Sequence, residues 1–216
     1  MIGPVLRIGP VITMMKITYH RSEEKLKLNK MKILSKQKER KAFVVNGTET
    51  VRMKFTKARK FLNPVNHIVQ MGFRSRKDKN RKTPIGRAMS AILQSAMVGN
   101  YPNIEVDPAR ARLSTGVKCA LKIYSVERRG AAIGLSWDPV ANIIRRDEWD
   151  DRIILCAYAI EQELAAMNEE EVLRHHGKMH MQLPEGMEEL AVHLYLIVYD
   201  RDRTNFSNSQ YLGLFI

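Results

Sequence analysis

Two stretches of this chain are apolar on both faces, and they restrict its fold more than any other feature. They are Arg152–Ile160, with Ile153-Ile-Leu-Cys-Ala-Tyr-Ala-Ile160 at its heart, and Val192–Tyr199. A strand that is polar on one side can lie on a surface, whereas a strand apolar on both sides must be covered twice. Around them lie one-sided strands. Ala131, Ile133, Leu135 and Trp137 alternate with Ala132, Gly134 and Ser136, and Asp138-Pro139 ends the run. Met179–Leu183 precedes a Pro184-Glu-Gly186 turn, and Tyr211–Ile216 closes the chain. Five or more short strands separated by turn residues predict an antiparallel β-sandwich over residues 103–216.

The pattern before that region is helical. Val51, Phe55, Ala58 and Leu62 recur at helical spacing from Thr48 onward. Asn63-Pro64 interrupts and restarts the helix, and the second piece, Val65–Met71, stops at Gly72. A further helix opens at Thr83-Pro84, with Gly99 just past its end. Its apolar residues Ile85, Ala88, Met89, Ile92, Leu93, Ala96 and Met97 predict burial on more than one side. Residues 48–102 thus form a helical region with a loop, Arg74–Lys82. Residues 1–47 form an arm that begins with two Gly-Pro pairs and suits an extended or edge-strand conformation. Ile12–Tyr19 continues as a strand, and Asn46-Gly47 is a turn signal. The whole is an α+β chain: a basic N-terminal arm and helices, then the sandwich.

Charge divides along the same line. Residues 1–87 hold 23 Lys and Arg against 5 Asp and Glu, while residues 88–216 hold 13 against 18. A concentrated positive field attracts an anionic partner. Its densest part is the loop, with Arg74, Arg76, Lys77, Lys79, Arg81 and Lys82, supported by Lys54, Lys57, Arg59 and Lys60 on the preceding helix. These residues could follow a phosphate backbone by contacts that are salt-sensitive and indifferent to sequence. Aromatic residues able to stack on bases are few in this half, and most of them fit the core pattern. The segment Arg21–Lys41, with nine basic residues and three Glu, fits neither period and reads as a loop or as an arm that orders on a partner.

Signals for chemistry are weak. His175, His176, His180 and His193 lack the ligand spacing of a zinc site and read as scattered residues. Asp147, Glu148, Asp150 and Asp151 surround Trp149 and read as a hydrated surface, without the spacing of a calcium loop. No nucleophile–base–orienter set can be assembled, and no phosphate-binding glycine motif occurs. The expectation is therefore a non-enzyme without cofactor or metal. Cys119 and Cys156 read as two buried thiols in a reducing compartment. No run is long enough to span a membrane, and the broken apolar N-terminus is not a signal peptide, so a cytoplasmic protein, or part of a particle assembled there, is expected.

Several motifs occur in a distinctive order. They are Met53-Lys-Phe55, Lys60-Phe-Leu-Asn-Pro-Val65, Met71-Gly-Phe73, Ala88-Met-Ser90 and Val98-Gly-Asn-Tyr-Pro102. Leu113-Ser-Thr-Gly116, Leu135-Ser-Trp137 and Ser207-Asn-Ser-Gln-Tyr-Leu-Gly213 follow. In these, and in Arg7-Ile-Gly-Pro-Val11 and Tyr19-His-Arg-Ser22, the chain resembles the bacterial domain-of-unknown-function family 6266, common in Bacteroidota. The resemblance implies an arm and helices leading into a fibronectin- or immunoglobulin-like sandwich, and it brings no catalytic residue with it. Two departures stand out: Arg7-Ile-Gly9 keeps only part of the family's Gly-Lys-x-Gly opening, and the spacer Lys25–Asn46 is unusually basic.

Two functions follow as expectations. The first is a non-enzymatic interaction protein whose basic half meets an anionic polymer, nucleic acid foremost, or an acidic protein surface. The second is a subunit of a homo-oligomeric assembly, a virion-like particle or fibre, in which the arm adds to a neighbour's open sheet edge.

Overall fold

The computed structural model describes residues 27, 31, 47–74, 83–143 and 146–216, with the side chains of residues 146 and 147 excepted. The Gly-Pro arm, the expected strand over 12–19, nearly all of Arg21–Lys41 and most of the Arg74–Lys82 loop lie outside the described residues. Two compact units divide the chain, Met1–Val51 and Arg52–Ile216. In the first, residues 27, 31 and 47–51 are helical, so the expected turn at Asn46-Gly47 gives way to helix by Gly47.

The architecture is α+β, with antiparallel pairing throughout the named strands. Helix α1 covers residues 47–62, followed by α2 (Asn66–Gly72) and α3 (Pro84–Ser95). Strands β1 (Met97–Val98) and β2 (Glu105–Val106) pair with each other. β3 (Lys122–Arg129), β4 (Ala132–Asp138) and β8 (Lys178–Gln182) form one sheet in the order β3-β4-β8. The other sheet runs β10-β9-β5-β6, from β5 (Arg152–Ala159), β6 (Leu164–Met167), β9 (Val192–Tyr199) and β10 (Gln210–Phe215). A short β7 (Val172–Leu173) also pairs with β5.

The two doubly apolar stretches are β5 and β9, paired from Arg152↔Tyr199 to Tyr158↔His193 at the middle of their sheet. Their alternation explains the composition. Ile153, Leu155, Ala157, Leu194, Leu196 and Val198 share an apolar cluster with Ile133, Leu135 and Trp137 of β4 and Met179 and Met181 of β8. The intervening Ile154, Cys156, Tyr158, Tyr195 and Ile197 belong instead to a cluster with Ala58, Leu62, Ile68, Val69, Ala88 and Ile92 of the helices. A second sheet therefore covers one face and helices cover the other, which is why neither strand tolerates a polar side. Tyr158 clips the layers together by donating its hydroxyl to the Phe61 carbonyl at 2.9 Å.

Two sequence expectations change at this level. Helix α3 has its Thr83 cap, whose Oγ1 accepts from the Gly86 amide at 3.2 Å, but it ends at Ser95. Gly99 instead lies in the β1–β2 connection with φ +79°, where an added Cβ would meet the Asn103 carbonyl oxygen. Ala88 and Ile92 of α3 are fully buried, and Ile85, Met89, Ala91 and Leu93 pack partly buried against the same cluster. Cys119 is half-buried, unlike Cys156, whose thiol is pushed up to about 12 by complete burial. Among the described residues, no helix is long and apolar enough to cross a membrane.

Candidate functional site

The register of α1 sets its charged surface. Ala58, Phe61 and Leu62 turn to the core, so a period of 3.6 residues leaves Arg52, Lys57, Arg59 and Lys60 on the opposite face, all exposed. Lys57 and Arg59 have no ion-pair partner among the described residues. Lys60 does have one, with its Nζ 3.0 Å from Glu163 Oε1. Lys54 falls toward the core side and is half-buried. Arg74 is exposed at the start of the basic loop, and Arg76, Lys77, Lys79, Arg81 and Lys82 lie outside the described residues. The loop's flanks are joined, because Arg87 Nε of α3 donates to the Phe73 carbonyl at 2.7 Å. Val51 and Phe55, which helical spacing puts on the apolar line with Ala58 and Leu62, are about half exposed.

The acidic run around Trp149 departs in part from the expected hydrated surface. Asp151 and Glu148 are buried, not part of a hydrated surface, and Arg174 is buried completely. Lys118 Nζ sits 2.9 Å from Asp151 Oδ1. Arg174 donates from Nη2 to the Ala141 carbonyl at 2.7 Å, its backbone amide donates to the Asp151 carbonyl, and its own carbonyl accepts from Trp137 Nε1 at 2.7 Å. Burial pushes the Asp151 carboxyl above its ordinary value, against the opposing pull of Lys118 and Arg174. The partners stand 33 and 23 positions from Asp151 in sequence, so local reading could not pair them. This cluster ties the Arg174–His176 turn to Trp137 of β4 and to Asp151, which follows the Arg146–Asp150 turn.

The shared motifs also meet in space, and what they do is close packing. A Cβ on Gly72 would lie 2.5 Å from the Ser114 Cβ, and one on Gly116 would overlap the Phe206 carbonyl. The Thr115 amide donates to the Gly72 carbonyl at 3.1 Å, Ser114 Oγ donates to the Ser207 carbonyl at 2.8 Å, and the Leu113 amide donates to Ser209 Oγ at 2.9 Å. Met71–Phe73, Leu113–Gly116 and Ser207–Ser209 thus form one junction, with Ser114 and Ser207 fully buried. Its small residues let three backbones approach one another.

His175, His176 and His193 are engaged locally, and His180 is exposed on β8. His175 lies against the exposed Trp149 ring at 4.8 Å and against His176 at 4.6 Å. His193 Nδ1 is 2.9 Å from the Tyr211 hydroxyl, and burial lowers its pKa. Among the described residues, no three His, Cys, Asp or Glu side chains are placed to hold a metal ion.

A family profile described as "Family of unknown function (DUF6266)" matches residues 28–213. No curated protein matches the chain, and no solved structure does.

Proposed function

The chain belongs to the DUF6266 family, and we propose that it is a non-enzymatic interaction protein whose basic N-terminal half engages an anionic partner, nucleic acid foremost. The observation that carries this reading is the solvent face of α1, where Arg52, Lys57 and Arg59 are exposed on a regular helix. Charges held on a helix backed by a packed core lose little further freedom when they meet phosphates. Arg74, Arg76, Lys77, Lys79, Arg81 and Lys82 add six positive charges within nine residues, against the single carboxylate of Asp78. The two sheets are read as a fibronectin- or immunoglobulin-like sandwich serving as scaffold, and the apolar cluster drawn from both supports that reading. The free thiols of Cys119 and Cys156 favour a reducing, cytoplasmic setting. The test is fluorescence anisotropy with random-sequence DNA and RNA at low and moderate salt. Affinity should fall steeply as salt rises; binding that is absent, or flat with salt, overturns the proposal.

A second reading, as a subunit of a homo-oligomeric assembly with the arm adding to a neighbour, draws on a different observation. β6 and β8 are outer strands of their sheets, and outer strands can accept another chain.

A further inference from the structure

Apart from the two-residue β7, the two larger sheets end in four outer strands, β3, β8, β10 and β6, and the molecule treats them in two ways. β3 and β10 are latched together. Arg128 of β3 donates from Nη1 to the carbonyls of Leu190 at 2.6 Å and of Phe215, in β10, at 2.9 Å. It also donates from Nη2 to the Met187 carbonyl at 3.3 Å and from Nε to the Gly130 carbonyl at 3.0 Å. One guanidinium thus joins the outer strand of one sheet to that of the other.

β6 and β8 have a groove of about 770 Å³ instead, lined by residues of both strands and of the turns that follow them. Buried Met181 and Leu183 and the partly exposed Met167 give it an apolar lining, while Glu169 and Glu170 stand exposed beside it. Its form follows from a break in the ladder on β5. β6 pairs with Cys156–Ala159 and β7 with Arg152 and Ile153. Between them the Asn168 side chain replaces a strand, accepting from the Leu155 amide at 2.8 Å and donating to the Ile153 carbonyl at 3.2 Å. Glu169, Glu170 and Glu171 are thereby put outside the sheet. Arg152 takes Glu171 at 2.8 Å, whereas Glu169 and Glu170 have no ion-pair partner among the described residues.

We propose that this groove is the acceptor site for the N-terminal arm, residues 1–20, of a second copy of the chain. The proposal rests on the assembly reading above and names the surface it would use. Complementarity of charge supports the match. The groove is lined by Glu169 and Glu170, whereas residues 1–20 carry Arg7 and Lys16 and no carboxylate. Complementarity of form supports it too. Val11-Ile-Thr-Met-Met-Lys-Ile-Thr-Tyr19 is rich in β-branched and apolar residues, suited to an outer strand above an apolar lining. A basic arm and an acidic acceptor on one chain make a head-to-tail contact, which orders copies in series.

The test uses full-length chain with p-benzoylphenylalanine in place of Met167, mixed as ordinary and isotope-labelled copies and irradiated. The expected products join position 167 of one copy to a peptide from residues 1–20 of the other. Crosslinks to any other segment, or only within one copy, overturn the proposal. Light scattering of E169K/E170K should show self-association weakened by about tenfold or more, since like charges would then face each other. An assembly undiminished in that variant sinks the groove and spares the assembly reading. A wild-type chain monomeric at every concentration sinks both. Nucleic-acid binding should not weaken in E169K/E170K, which separates this site from the basic face.

Discussion

Around Lys118 the positive charge is turned inward, and along α1 it is turned outward. Lys118 is nearly buried against Asp151, beside the wholly buried Arg174. Lys57 and Arg59 project from a helix whose other side is core. The same chemical groups therefore do different work. An inward charge is tied to one carboxylate or carbonyl, and removing its partner leaves an uncompensated ion in a poorly polarisable interior. An outward charge contributes little to stability, because water and salt screen it, and it stays available to a partner. Net charge alone does not tell the two apart.

The comparison is most easily broken at Asp151. D151A should cost about 3–5 kcal/mol, because Lys118 would be left nearly buried without its carboxylate. Its urea midpoint should drop sharply while nucleic-acid affinity of the folded fraction stays unchanged. A midpoint close to wild type would mean that the inward charges are not fastening the turns.

Acid titration sharpens it. Burial raises the Asp200 carboxyl, but hydrogen bonds from Thr204 and Asn205 outweigh that effect and hold it below its ordinary value. Its contribution is present above the unfolded value of about 4 and is lost as pH falls through the folded one. Asp151 has the opposite sign: its folded value is raised, so its contribution is full below the unfolded value and declines as pH rises through the folded one. D200N should therefore flatten the acid limb of the stability profile. An acid limb identical to wild type would contradict that assignment.

The smallest effect belongs to the exposed pair Lys60–Glu163, both members about half exposed at 3.0 Å. E163Q should change stability by no more than about 1 kcal/mol in thermal or urea unfolding. A larger loss would place this pair with the inward charges.

How much of this could be read in advance depended on the range of the interaction. β4 was legible because its period of two is local, and β5 and β9 because two-sided burial leaves no polar position. What covers their second face was not legible, since helix and sheet present similar apolar surfaces. β6 escaped because Leu164–Met167 is only four residues long between Glu161–Glu163 and Asn168–Glu171. Gly72 marks the end of α2 in sequence and structure alike, but the close approach of Ser114, 42 positions later, is visible only in the fold. Of the basic face, helical spacing placed Lys57 correctly on the solvent side but said nothing of Glu163, which occupies Lys60 from across the fold.

In the proposed function, the outward charges on the basic half serve an anionic partner. The most direct test is the slope of log K against log salt for a random-sequence oligonucleotide, measured for wild type and for K57E/R59E. The account predicts a steep wild-type slope and, in the variant, weaker binding with a slope shallower by about one for each phosphate no longer neutralised. Equal affinities and slopes in the two proteins, with folding intact in both, would contradict it.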